Sequence, residues 1–262
     1  MQAHLHMTPA ARAQHYAQVF PDYPAPRVDA RWLDSVWVLG NNYRGSGFYG
    51  AYPPGYIKRV AALFPDARDV LHLFSGSLSA NRESLQHPEH WQCDYLDANP
   101  ELHPTIIGSA EAMPVEDARY DLVLADPPYS VEDAQHYGKP MANRSKVLAE
   151  TYRVLRPGGC LLWLDQVLPM YSKAVWHLWG LIAVVRSTNH RVRLLSCFQR
   201  PSSLEDHEWV SVAIPGVTRC CRCGMLHIVS DEEEMFFQCG SDGRLRAAVA
   251  SSPVCANGRK SS

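Results

Sequence analysis

The stretch Tyr120–Tyr129 reads YDLVLADPPY. Its first six residues form a short apolar run of strand length, closed by Asp126. Pro127 and Pro128 then fix the backbone and remove two N–H donors, so the carbonyls around them stay free as acceptors. Asp126 adds a carboxylate at the same point, and Tyr129 adds a flat face. An acceptor pair holds an –NH2 group, and an aromatic face holds a planar ring. Open α/β sheets bind ligands at the carboxyl ends of their strands, which is where this turn falls. A rigid Asp-Pro-Pro turn without chemistry is the plain alternative, but such a turn has no need of the aromatic that follows.

Outward from this stretch the pattern alternates short apolar runs with helical segments, the signature of an α/β sheet. Strands are expected over 69–74, 93–96, 105–107, 120–125, 160–164, 182–185 and 192–197. Helices are expected over 10–19, 57–63, 80–85, 146–154 and 173–179. The last two strands are separated by STNH, too short for a helix, which predicts a hairpin and hence one antiparallel strand. Composition shifts near 201–203 and 215 mark the end of this unit. The expected organisation is an N-terminal extension (1–44), an α/β domain (45–214), a Cys-rich segment (215–240) and a disordered tail (241–262).

The first expected strand runs into a small-residue turn, LHLFSGSLSA, Leu71 to Ala80. Gly76 lets a ligand approach the backbone, and the helix start behind it offers free N–H groups. Phe74, Ser75, Gly76 and Ser77 are therefore candidate cofactor contacts. Asp97 follows Gly76 by 21 residues, at the end of the second strand. A carboxylate there accepts ribose hydroxyls in nucleotide-binding α/β folds. Asp94, in the same strand, is the alternative. The loop IIGSAEAMP after the third strand brings Ser109 and Ala110 as candidates for the edge of an adenine ring.

Phe74-Ser75-Gly76-Ser77, Asp97, Asp126-Pro127-Pro128-Tyr129 and RVLRPGG (Arg153 to Gly159), in that order, resemble the class I S-adenosylmethionine-dependent methyltransferases. Within them the chain is similar to the amino-methyltransferases of the DPPY type, over residues 45–200. The stretch YGAYPPGY resembles the segment that packs beside the methionine end of the cofactor. The resemblance implies a Rossmann-like, mostly parallel seven-stranded sheet with one reversed strand and helices on both faces. It implies S-adenosylmethionine as cofactor, with Asp126 also counted among its contacts. The first motif departs from the family in lacking a second Gly. Ser109 stands where many relatives carry Asp, and no long target-recognition region separates the motifs.

The resemblance implies methyl transfer to the exocyclic amine of adenine or cytosine in DNA. Transfer to an RNA base amine is the alternative, and a nucleic-acid-binding module without turnover is the second. Asp126, Pro127, Pro128 and Tyr129 are the expected catalytic group, with Asp126 and the Pro127 carbonyl accepting from the amine. A duplex base would have to be flipped out onto Tyr129.

Composition sharpens the partner. The chain has 262 residues, 46% of them apolar, and a net charge of −2. That is a globular profile, and the whole chain is not a basic nucleic-acid binder. The charge is unevenly spread, however. Residues 1–138 carry 9 basic against 17 acidic residues, and residues 139–222 carry 12 against 5. Lys139, Arg144 and Lys146 open the basic stretch just after the proline motif and are candidate phosphate contacts. An ordinary solvated helix face is the other reading of these three. With no apolar leader and no spanning run, the expectation is a cytoplasmic protein without a membrane partner.

Five of the eight cysteines fall in the last 43 residues. Cys220 and Cys223 form a C-x2-C pair, and His227 with Cys239 completes a candidate structural zinc set. Cys221 and Cys255 are substitutes, and reduced thiols in a loose tail are the alternative. Cys93, Cys160 and Cys197 stand singly among apolar residues and are expected in the core.

Overall fold

A computed structural model describes residues 7–40, 51–81, 87–129, 141–187 and 192–201, together with five backbone strands beyond them. The chain divides into two compact units, Met1–Met170 with Trp179–Phe198, and Tyr171–Leu178 with Gln199–Ser262.

The first unit is built on β1 (Arg27–Asp29), β2 (Trp32–Leu39), β3 (Asp69–Leu73), β4 (Gln92–Asp97), β5 (Ile106–Ile107), β6 (Tyr120–Ala125), β7 (Leu155–Asp165), β8 (His177–Arg186) and β9 (Val192–Gln199). Their order across the sheet is β1-β2-β8-β9-β7-β6-β3-β4-β5. The pairs β3–β4, β3–β6, β4–β5 and β6–β7 are parallel. β8 and β9 are neighbours joined across only residues 187–191, a link too short for a parallel crossover, so β9 runs reversed. The seven expected strands are all present. The sheet nonetheless has nine strands, because the segment read as an N-terminal extension adds two. β2 runs parallel to β8, and β1 pairs antiparallel with β2.

β2 has an alternating pattern in WLDSVWVL: Leu33, Trp37 and Leu39 are buried, while Val36 and Val38 are exposed. β3, β6 and β7 are buried on both faces, as parallel strands covered by helices are. Val70, Leu122, Leu124, Leu162 and Leu164 join one core with α1 (Pro9–Val19) and α2 (Tyr56–Leu63). Leu71, Leu73, Val123, Leu161 and Trp163 alternate with them and are buried on the opposite face, as are Val147 and Leu148 of α3 (Arg144–Val154).

Two buried arginines fasten the N-terminal helix. Arg12 donates to Asp66 at 2.7 and 3.0 Å and to the Leu63 carbonyl at 2.8 Å. Arg59 bonds the Tyr16 hydroxyl and lies over the rings of Tyr16, Phe20, Tyr23 and Trp37. His72, in the middle of β3, is fully buried between Tyr52 and Tyr95. Burial holds its pKa well below the ordinary histidine value and pushes His87 down to about 4.

The expected helix over 173–179 does not form. The Ser172 carbonyl closes a turn onto the N–H groups of Val175 and Trp176, and β8 begins at His177. Further along β8, Gly180 through Arg186 pair with Leu33 through Leu39 of β2. A Cβ at Gly180 would stand 2.8 Å from the Leu33 carbonyl, so glycine permits that approach. The strand expected at 160 begins five residues earlier, at Leu155. Gly158, at φ +83°, lies in the bulge that takes up the extra residues. Of the expected helix over 80–85, residues 79–81 form a tight turn and 82–86 lie outside the described residues.

The second unit holds an antiparallel sheet in chain order: β10 (Trp209–Ser211), β11 (Val217–Cys220), β12 (Leu226–Val229), β13 (Glu234–Cys239) and β14 (Leu245–Ala247). β14 lies inside 241–262, the stretch expected to be disordered. Ordering it there completes an edge of the sheet.

Candidate active site

The carboxyl ends of β3, β4 and β6 bring two groups of candidates to one rim of the first sheet. On one side, Phe74 and Gly76 both take left-handed φ values, 56° and 53°, as the chain leaves β3. This turns the backbone sharply, and the Gly76 N–H donates to the Asp97 carboxylate at 2.9 Å. The Asn99 N–H donates to the other oxygen of Asp97 at 2.9 Å. The Gly108 N–H bonds the Asp97 carbonyl at 3.0 Å and so brings the β5 loop alongside. Asp94, the alternative, accepts from Arg119 at 2.7 Å and from Tyr120 at 2.8 Å, at the opposite end of β6. The loop therefore gathers Phe74, Ser75, Gly76, Ser77 and Asp97, while Asp94 is tied elsewhere.

Ser75 is fully buried, and its hydroxyl has no partner among the described residues. An orphaned hydroxyl beside a glycine turn and a carboxylate fits a ligand rich in hydroxyl and carboxylate groups, as a nucleoside with an amino-acid arm is. Ser109 is exposed and accepts from the Glu111 N–H at 3.1 Å, while Ala110 is buried. The stretch RVLRPGG, Arg153 to Gly159, holds this loop in place. Arg153 donates to the carbonyls of Met113 and Val115 at 2.9 and 2.6 Å, and also to Asp117 and Glu150. Arg156 of the same motif pairs with Asp69 and Asp121.

On the other side of the rim, Asp126 follows β6. It accepts a hydrogen bond from the Tyr129 hydroxyl. Arg193, from β9, donates to that hydroxyl and lies 3.4 Å from the second carboxylate oxygen of Asp126. The Arg193 guanidinium also lies 5.6 Å from the centre of the Tyr129 ring. Burial pushes the Asp126 carboxyl above the ordinary aspartate value, against the opposing pull of Arg193 and Tyr129. Burial and the Asp126 charge both raise the Tyr129 phenol far above its ordinary value. Tyr52 and Tyr56 stack at 4.9 Å, and both feel the Asp126 charge. They are the described part of the aromatic stretch expected beside the cofactor.

Arg193 is invisible in the sequence, since it belongs to the last strand and reaches the motif only through the sheet order. Asp165 was missed in the same way. It is fully buried at the end of β7 and accepts from Arg144 Nε at 3.0 Å, Trp163 Nε1 at 3.2 Å and the Gln166 N–H at 2.7 Å. Arg144, a candidate phosphate contact, thus spends its Nε on Asp165. Lys146 lies 3.7 Å from Glu111 and is mostly exposed. Lys139 and Cys223 lie outside the described residues. In the second unit, Cys220 ends β11, His227 stands opposite Thr218 and Phe236, and Cys239 ends β13.

The strand order decides the fold. Counted from β3, the sheet reads third, second, first, fourth, fifth, seventh, sixth, with the seventh reversed. This is the class I methyltransferase fold. Residues 78–163 match the model of a family described as "Methyltransferase domain". Among solved structures, the chain is similar to YcgJ from Bacillus subtilis, with 21% identity over 37% of this chain and 44% of that one, at a TM-score of 0.29. It is also similar to a SAM-dependent methyltransferase from Aquifex aeolicus, with 13% identity, 50% and 81% coverage, and a TM-score of 0.35. The carbon methyltransferase CurJ matches at 10% identity, 56% and 53% coverage, and a TM-score of 0.40. This chain therefore spans less than half the length of the YcgJ chain. A search of the curated proteins found no match.

Proposed function

We propose that this chain is an S-adenosylmethionine-dependent methyltransferase acting on the exocyclic amine of a nucleic-acid base, adenine or cytosine in DNA. One observation carries the reading: a part-buried Asp126, followed by Pro127 and Pro128 and bonded to Tyr129, on the same rim as the Gly76–Asp97 turn. Ser75, Gly76 and Asp97 would hold the nucleoside part of the cofactor, with Ser109 and Ala110 toward its base. When bound, S-adenosylmethionine supplies an electrophilic methyl group.

The residues of the chain do the rest. A ring amine is a poor nucleophile because its lone pair is conjugated. Accepting from both its hydrogens, at Asp126 and the Pro127 carbonyl, favours a tetrahedral nitrogen with its lone pair free. The interaction strengthens as positive charge grows on that nitrogen, so it acts mainly in the transition state. This requires an anionic Asp126. Burial works against the anion, and Arg193 opposes burial. The Tyr129 ring offers the face on which a flipped base stacks. Val167, Leu168 and Met170, exposed after β7, add apolar surface beyond the end of that neighbouring strand.

The test is transfer of labelled methyl from S-adenosylmethionine to unmethylated DNA, to RNA and to free nucleosides. Labelled N6-methyladenine or N4-methylcytosine in DNA supports the reading. Label confined to RNA moves the substrate to an RNA base amine, and label in no acceptor overturns the proposal.

A further inference from the structure

Three residues away from the methyl-transfer rim form a second cluster that the proposed chemistry does not use. His72 lies in the middle of β3, Cys93 of β4 pairs with Val70 two residues before His72, and His87 precedes β4. One ligand atom from each, an imidazole nitrogen or the Cys93 sulfur, lies within 4.8 Å of the others. The two imidazole rings are 5.1 Å apart between centres. Their other contacts follow one pattern. His72 Nδ1 is 3.2 Å from the Tyr52 hydroxyl, and His87 Nδ1 is 3.4 Å from the Tyr95 hydroxyl. The Nε2 atoms of both rings are buried and have no hydrogen-bond partner among the described residues.

Two adjacent orphaned nitrogens are unusual. A buried polar atom without a partner costs about 1–3 kcal/mol, and nearly all such atoms find one. The space around them is lined by Tyr52, Tyr95 and Trp91. A shared cation meets both at once. Metal-bound histidines usually engage the remaining ring nitrogen with a second group, which fixes the tautomer. Tyr52 and Tyr95 stand where such partners stand.

We infer that His72, His87 and Cys93 form a zinc site, with His72 Nε2, His87 Nε2 and Cys93 Sγ as ligands. Two imidazoles and a thiolate are a borderline-soft donor set that suits zinc over magnesium or calcium. Binding releases the thiol proton to solvent and leaves Cys93 as thiolate. The site joins the middle of β3 to the chain just before β4. It therefore clamps the crossover that carries Ser75 and Gly76, from the face of the sheet shared with α1 and α2.

The experiment uses the full chain, loaded with zinc or cobalt after chelator treatment. The C-terminal cysteines are a competing site, so the reference is the full chain carrying Cys220→Ser, Cys223→Ser and Cys239→Ser. That reference is expected to keep one equivalent of metal, with a thiolate-to-cobalt charge-transfer band. Adding Cys93→Ser should remove the band. Adding His87→Gln, at a half-buried position, should weaken zinc binding by at least the 10–100-fold typical of losing a second-shell partner. The inference is overturned if the reference binds no stoichiometric metal. It is equally overturned if Cys93→Ser and His87→Gln leave both the band and the affinity unchanged while circular dichroism shows a native fold.

Discussion

Asp97 and Asp126 are carboxylates at the exits of parallel strands on one rim, yet they are held in opposite ways. Asp97 receives backbone N–H groups, from Gly76 and Asn99, at 2.9 Å each. Backbone donors on a folded loop are fixed, so this carboxylate shapes the turn that surrounds it. Among the described residues, Asp126 is held by two side chains, Tyr129 from its own turn and Arg193 from β9. Side chains can exchange partners when a substrate arrives. On the proposed reading, the contrast separates a preformed binding rim from an adaptable reacting one, and each half of it can be broken.

The largest effect should come from Asp126→Ala. Removing one hydrogen-bonding group that responds to transition-state charge costs about 10²–10³ in kcat. Cofactor binding, read by calorimetry, should stay near wild type. An enzyme that keeps full turnover on every acceptor would remove Asp126 from the chemistry.

Asp97→Ala should show the reverse split. A charge-assisted hydrogen bond contributes about 1.5–3 kcal/mol, so the Kd for S-adenosylmethionine should rise roughly ten- to a hundred-fold. Turnover at saturating cofactor should fall far less. Equal losses in both parameters would erase the distinction between the two carboxylates.

Arg193→Gln probes the adaptable side by pH. Arg193 lowers an Asp126 pKa that burial has raised. Without the guanidinium the carboxyl rises further, so a larger fraction is protonated at any given pH. The acid limb of the rate profile should therefore move to higher pH. A fall in rate with the limb unmoved would make Arg193 a packing residue.

The smallest effect belongs to the preformed side. Gly76→Ala places a Cβ at a φ of 53°, which costs about 1–2 kcal/mol. Urea denaturation should show the loss, together with weaker cofactor binding. No loss in either would mean that the turn has a conformational freedom the comparison denies it.

Much of this rim could be read from the sequence, because its signals are local. Tyr120–Ala125 is a strand with the bounds expected, and Asp126 to Tyr129 follow it directly. The interval from Gly76 to Asp97 spans one crossover and one strand. What the sequence could not show is sheet partnership. β2 and β8 pair along Leu33–Leu39 and Gly180–Arg186, and no window of either reveals the partner. Asp94 and Asp97 stand three residues apart, and only the positions of Arg119 and Tyr120 separate their tasks.

By itself, then, the sequence determined the alternation of strand and helix, the two carboxylate turns and the pairing of each with its neighbouring residues. Short-range backbone preference and hydrophobic period are enough for these. The tertiary structure alone decided the nine-stranded order, the arrival of Arg193 at Asp126, the burial of Asp165 and the meeting of His72, His87 and Cys93. Each depends on segments brought together by sheet order, and burial then fixes which polar groups must find partners.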